Sequence, residues 1–145
     1  MFEAYKDNSG SKAYRFIDSK IHDQFLITED ERKKMGYYIT SEIQAQKYFN
    51  AKIKLQSLEY IREIISMYDN SVVYSNNRAD MYKHTLSYLQ SEFARYEMRA
   101  DALRKYENPE NLFMVTYDRE LQNEIATILR DTIKLFIENN KTLGV

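Results

Sequence analysis

The 145-residue chain has no cysteine, one proline and three glycines, and its 21 basic and 22 acidic residues nearly cancel. Each scarcity closes off a class of function. Without cysteine there is no disulfide, no thiolate zinc site and no thiol nucleophile. Average usage would supply roughly 7% glycine and 5% proline, so the turn punctuation of β-rich architectures is missing and the composition points to helices. Gly10, Gly36 and Gly144 are too dispersed to form a phosphate-cradling loop or a dinucleotide fingerprint, and no serine lies in a nucleophile elbow. The balanced charge gives no field to steer the chain to nucleic acid. Its segments do not depart far from balance: residues 28–69 carry seven charges of each sign, 78–106 six basic against four acidic, and 116–139 three against five. No apolar run approaches the roughly 18 residues that span a bilayer, and the opening MFEAYKDNSG lacks the apolar core of a signal peptide. A cytoplasmic protein with no membrane segment is expected.

What the chain does contain is 43% hydrophobic residues, with 13 tyrosines, arranged at helical spacing. One domain over residues 1–145 is long enough to bury its own core, with 1–10 and 140–145 expected as flexible ends. Tyr14, Phe16, Ile17, Ile21 and Phe25 predict a first helix of about four turns, ending near Ile27. Thr28-Glu-Asp-Glu31 has the form of a capping box followed by Arg32, Lys33 and Lys34, which predicts a second helix starting there. Gly36 either kinks or breaks that helix. Across residues 39–68, Ile43, Phe49, Ile53, Leu58, Tyr60, Ile61, Ile65 and Met67 cover more than half the helical circumference, the pattern of a central helix.

The turn formers of DNSVVYSNN interrupt the pattern. The next helix carries Tyr82, Leu86, Leu89, Phe93, Tyr96, Ala100 and Leu103 in a four-three alternation, which keeps one seam toward a neighbour in left-handed packing. Asn108-Pro109 supplies a cap and a helix-starting proline. The last seam is Phe113, Tyr117, Leu121, Ile125, Ile128, Thr132 and Leu135, ended by Asn139-Asn140, although LFMVTY alone also fits a short strand. The expected fold is all-α: an elongated antiparallel bundle of three long helices plus a shorter N-terminal helix, coiled-coil-like in its packing.

Candidate chemistry is sparse. Asp18 and Asp80 each precede a histidine by four residues, His22 and His84, so each pair shares a helical face. Carboxylate-bridged metal bundles combine Glu-x-x-His pairs with further inward glutamates, and no Glu-x-x-His occurs here. The acidic pairs Glu59/Glu63, Glu97/Asp101 and Glu120/Glu124 have Arg62, Lys105 and Arg119 close enough to offset them, so solvated faces account for them. The tyrosines mostly follow the core period, where a ring is buried and its hydroxyl reaches a partner, rather than forming base-stacking platforms. No metal, no cofactor and no catalytic residue are expected.

One pattern is left over. On the helix of the four-three seam, Met81, His84, Tyr88, Arg95, Met98 and Ala102 recur at helical spacing on the face opposite the seam. Tyrosine, methionine and arginine are enriched at protein contacts, and methionine adapts to irregular surfaces. Met81, His84, Tyr88, Arg95 and Met98 are therefore the candidate partner-binding residues, unless the second helix covers them. Two segments, AYKDNS at 4–9 and ADMYKHTLSYLQSEF at 79–93, resemble parts of the flagellin export chaperones, small cytoplasmic helical bundles that hold a partner's terminal helices. The similarity covers about a seventh of the chain, and GSKAYRF stands where that family has an apolar and threonine-proline stretch. The chain is not assigned to that family.

The sequence thus points to a non-enzymatic helical protein-interaction module: an adaptor, assembly component, chaperone or inhibitor. Its partner is another protein, with self-association open, nucleic acid disfavoured and no membrane. The alternative is a metal-dependent or nucleic-acid-processing helical enzyme, which a metal retained through purification would favour. The two faces of one helix should separate stability from binding. Leu89→Ala or Phe93→Ala should cost about 2–5 kcal/mol in thermal or denaturant unfolding. Tyr88→Ala or Met98→Ala should leave unfolding nearly unchanged; a melting loss matching the seam variants would make the stripe core.

Overall fold

Ser11 opens the first helix, α1 (Lys12–Met35), by accepting a hydrogen bond from the Tyr14 amide at 3.2 Å, while its hydroxyl donates to Asp69 at 2.8 Å. The computed structural model describes residues 11–36, 41–105 and 112–141, without the side chains of 112–117. Three further helices follow: α2 (Glu42–Val72), α3 (Arg78–Lys105) and α4 (Leu112–Asn139). Ser41 caps α2 as Ser11 caps α1, accepting from the Gln44 amide, so each satisfies an amide that a helix start leaves open. The fold is an all-α antiparallel bundle with no strand among the described residues, and the backbone of 112–117 is the first part of α4. Asn108, Pro109, the side chains of Phe113 and Tyr117, and segments 1–10 and 142–145 lie outside the described residues.

Cross-helix contacts fix the directions. Ser11 with Asp69, Asp18 with Arg62 at 2.8 Å and Gln44 with the Glu31 carbonyl at 3.0 Å run α1 against α2. Tyr60 faces Tyr88 across α2 and α3, and Tyr82 stacks on Phe136 across α3 and α4, again antiparallel. Lys54 reaches Glu124 at 2.7 Å and Tyr68 donates to Asn140 at 2.6 Å, so α2 and α4 run parallel. The hairpin α1/α2 and the hairpin α3/α4 are each closely packed. They meet chiefly along α1 and α4, while α2 touches α3 and α4 less.

Two expectations are corrected. The first helix does not stop near Ile27, and no helix starts at Thr28. Ala13, Ile17, Ile21, Gln24 and Thr28 form one buried stripe that continues through the apparent capping box. Thr28 is 5% exposed, and its one hydroxyl proton is shared between the Gln24 carbonyl at 2.8 Å and the Ala51 carbonyl at 3.2 Å instead of the side chain capping a new helix. Continuous burial outweighs the local cap signal. The acids serve as in-helix partners, Glu29 with Arg32 at 3.3 Å and Asp30 with Lys34 at 3.2 Å. Arg32, Lys33 and Lys34 occupy the last turn, where cations favour the helix dipole. Gly36 ends the helix rather than kinking it, closing α1 at φ 66° and ψ −150° with its amide donating to the Lys33 carbonyl. Nor is α2 apolar because it is central. Leu58, Ile61, Ile65 and Tyr68 are buried, but Ile43, Phe49, Ile53, Tyr60 and Met67 remain about half exposed or more.

The α3 seam is as expected: Tyr82, Leu89, Tyr96 and Ala100 are buried, with Leu86 and Phe93 half-buried beside them. On α4, Leu121, Ile125 and Thr132 are buried, and so are Leu129, Ile133 and Phe136, one residue further round than the expected seam. Phe136 joins three helices, meeting Tyr68 edge-on at 4.8 Å and Tyr82 in a stack at 5.3 Å between ring centroids. Burial pushes the Tyr68 phenol up to about 12, so it stays a neutral donor to Asn140. Asn140, expected in the flexible end, is held by that bond and by its own donation to the Phe136 carbonyl at 2.7 Å.

The Gly36 conformation is close to a region that only glycine occupies freely, and an added Cβ would meet no atom within 4 Å. Gly36→Ala should therefore destabilise by about 1–3 kcal/mol through backbone strain alone. A melting temperature equal to that of the parent protein would show that α1 can end differently.

Candidate functional site

Because α2 and α3 pack loosely on each other, a groove of about 470 Å³ lies between them. Tyr60, Ile64 and Met67 of α2 form one wall, and Met81, His84 and Tyr88 of α3 form the other, with Tyr68 and Thr85 also lining it. The walls are in antiparallel heptad register. Met67 is level with Met81 and Tyr60 with Tyr88, each helix advancing seven residues between these rungs. The Tyr60 and Tyr88 hydroxyls hydrogen-bond to each other, and their rings lie 6.5 Å apart, tilted by 60°. That hydroxyl contact is the main cause raising the Tyr88 pKa above its ordinary phenol value. One heptad on, the same register sets Ile53 level with Arg95, followed by Phe49 near Met98.

The expected partner-binding residues therefore share an edge of α3, but this edge borders α2, roughly a third of a turn from the seam rather than diametrically opposite it. Met81 is half-buried against the core; His84, Tyr88, Arg95 and Met98 are exposed, Met98 at 71%. The second helix runs beside the stripe without covering it. Sequence reasoning missed the matching half on α2. Ile53, Tyr60 and Met67 recur every seven residues, a signal hidden within the broad apolar circumference of that helix.

Arg95 has a second task. It pairs with Glu92, which is 7% exposed at the edge of the core. A buried carboxylate needs such a partner.

Elsewhere the chemistry stays dispersed. Asp18 pairs with Arg62 beside an exposed His22, and Asp80 and His84 are exposed. Among the described residues no three histidine, aspartate or glutamate side chains converge as metal ligands, and no helix is long and apolar enough to cross a membrane. A smaller cleft of about 240 Å³ between α1, α2 and α4 has several charged residues along it, including the Lys54–Glu124 pair. Asn50 lines it with Nδ2 lacking a hydrogen-bond partner. The α2/α3 groove is larger and more apolar.

Compared with known proteins, the chain matches no family model, no curated protein and no solved structure. The weight of any functional reading thus falls on the groove itself.

Arg95→Ala should destabilise the fold by about 1 kcal/mol, the half-exposed arginine limiting the effect. Glu92→Gln in the same chain should recover part of that loss, because a neutral amide is cheaper to bury than an unpaired carboxylate. Chemical denaturation of the two single variants and the double variant measures this, and strictly additive losses would mean that the pair is not coupled.

Proposed function

We propose that this chain is a non-enzymatic helical protein-interaction module that binds a protein through the α2/α3 face, serving as an adaptor, assembly component, chaperone or inhibitor in the cytoplasm. The reading is carried by the two parallel stripes of large apolar side chains that the bundle leaves uncovered: Phe49, Ile53, Tyr60 and Met67 on α2, Tyr88 and Met98 on α3, all between 44% and 71% exposed. Single exposed apolar residues are ordinary, but a contiguous line along two adjacent helices matches the aromatic and methionine character of protein contacts. His84 and Arg95 supply polar groups at its edge. Of the two clefts described above, the α2/α3 groove is the larger and the more apolar.

The test is affinity purification from the native host with the parent chain and with Tyr60→Ala/Met67→Ala. Both substituted side chains are substantially exposed, so melting should match the parent, while partner binding should weaken by about 1–3 kcal/mol per residue. A protein recovered in stoichiometric yield with the parent and lost with the folded variant supports the reading. Identical recovery with both would remove the groove from consideration.

A further inference from the structure

We propose that the occupant of the α2/α3 groove is a second copy of this chain, related by a two-fold axis parallel to the helices, so that α2 of each copy lies over α3 of the other. This rests on the reading of that face as a protein-binding surface and names what binds there.

Area, charge and register each favour this occupant. Phe49, Ile53, Tyr60, Met67, Tyr88 and Met98 are each about half exposed or more. At roughly 80–100 Å² apiece they present on the order of 500 Å² of apolar surface. Two such faces total about 1,000 Å², the size at which a specific interface begins. A lone copy would leave all of it in water.

Charge selects the arrangement. On the α2 wall of the groove the ionisable rim group is Glu63. On the α3 wall it is His84, with Arg95, paired to Glu92, further along the same edge. An axis parallel to the helices brings Glu63 of one copy to the level of His84 of the other, twice. An axis across the helices would set α2 on α2 and α3 on α3, which loses that complementary pairing.

Register agrees with charge. An axis parallel to the helices preserves levels, so Met67 of one copy lies over Met81 of the other, and Tyr60 over Tyr88. Each rung becomes a layer of four like side chains, methionines packing adaptably in one and tyrosines in the next. Such an interface is isologous and closes at two copies.

Sedimentation equilibrium from about 1 to 300 µM tests the stoichiometry, a range suited to an interface at the lower end of stable sizes. The expected result is a reversible dimer of the 17.4 kDa chain. Tyr60→Lys should weaken it about 100-fold and Glu63→Lys about 10-fold. Phe25→Lys, on the exposed face of α1, should leave it unchanged. If Tyr60→Lys disturbs the circular dichroism melt, Glu63→Lys, at an exposed rim position, decides. The arrangement is tested with single-cysteine variants, each holding a unique thiol because the chain has none of its own. Mixing Met67→Cys with Met81→Cys and oxidising should give the mixed disulfide-linked dimer in preference to either self-linked one.

A monomer throughout the range overturns the proposal, as does a dimer indifferent to Tyr60→Lys and Glu63→Lys, or the absence of preferred mixed cross-linking. A monomeric chain that still captures a different protein in a groove-dependent manner would sink this inference and leave the broader reading standing. A monomer whose captured proteins ignore the groove would sink both.

Discussion

The side chain of Phe136 sets the geometry on which the rest depends. It is 1% exposed and lies between Tyr68 of α2 and Tyr82 of α3. These two helices pack loosely on each other, so much of their relative level is transmitted through α4. The edge-on and stacked arrangements of the three rings suit the aromatic quadrupoles, and the burial of a whole phenylalanine contributes stability of the order expected for a core aromatic. With Tyr68 and Tyr82 fixed, Met67 and Met81 become neighbours in level. Tyr60 and Tyr88 follow seven residues away. The candidate site is thus the outer edge of a register determined inside the bundle.

Polar groups reinforce the same frame locally. Gln24 Nε2 and the Thr28 hydroxyl both donate to the Ala51 carbonyl, tying the buried stripe of α1 to α2 at a point where either residue alone would be costly to bury. At the opposite end of that hairpin, Asp69 accepts from both the Ser11 amide and hydroxyl. Burial raises the Asp69 pKa, and the two bonds from Ser11 oppose the rise. The net contribution of such a carboxylate is small. Its value is positional, because it anchors Ser11, the cap of α1, near the end of α2.

The legibility of the fold followed the physical source of each signal. The α3 seam was readable because a four-three alternation of large residues has one sensible partner, a neighbouring helix, and Leu89, Tyr96 and Ala100 are indeed buried. The break after α2 was readable for a local reason, a run of turn formers. The boundary at Thr28 was not, because the same Thr-x-x-Glu pattern fits a helix start or a buried helix interior, and only the Ala51 carbonyl on another helix distinguishes them. The stripe on α3 was visible as a spacing, but its orientation toward α2 was not, since one helix cannot report where its neighbours stand. The other half of the groove lay in an apolar excess on α2 that can be read equally as core or as exposed face. Tertiary packing alone resolves that ambiguity.

Three of the six methionines, Met67, Met81 and Met98, belong to the α2/α3 face, two of them exposed at 62% and 71%. In a chain without cysteine, Met67 and Met98 are, among the described residues, the sulfur atoms most open to peroxide. Conversion to the sulfoxide would place a strongly polar, chiral oxygen on a wall now lined by carbon and sulfur, while Phe136 and the buried isoleucines beneath remain chemically inert. Oxidative damage would therefore reach the surface of this protein long before its core, and a reductase acting on methionine sulfoxide could restore it without unfolding the bundle.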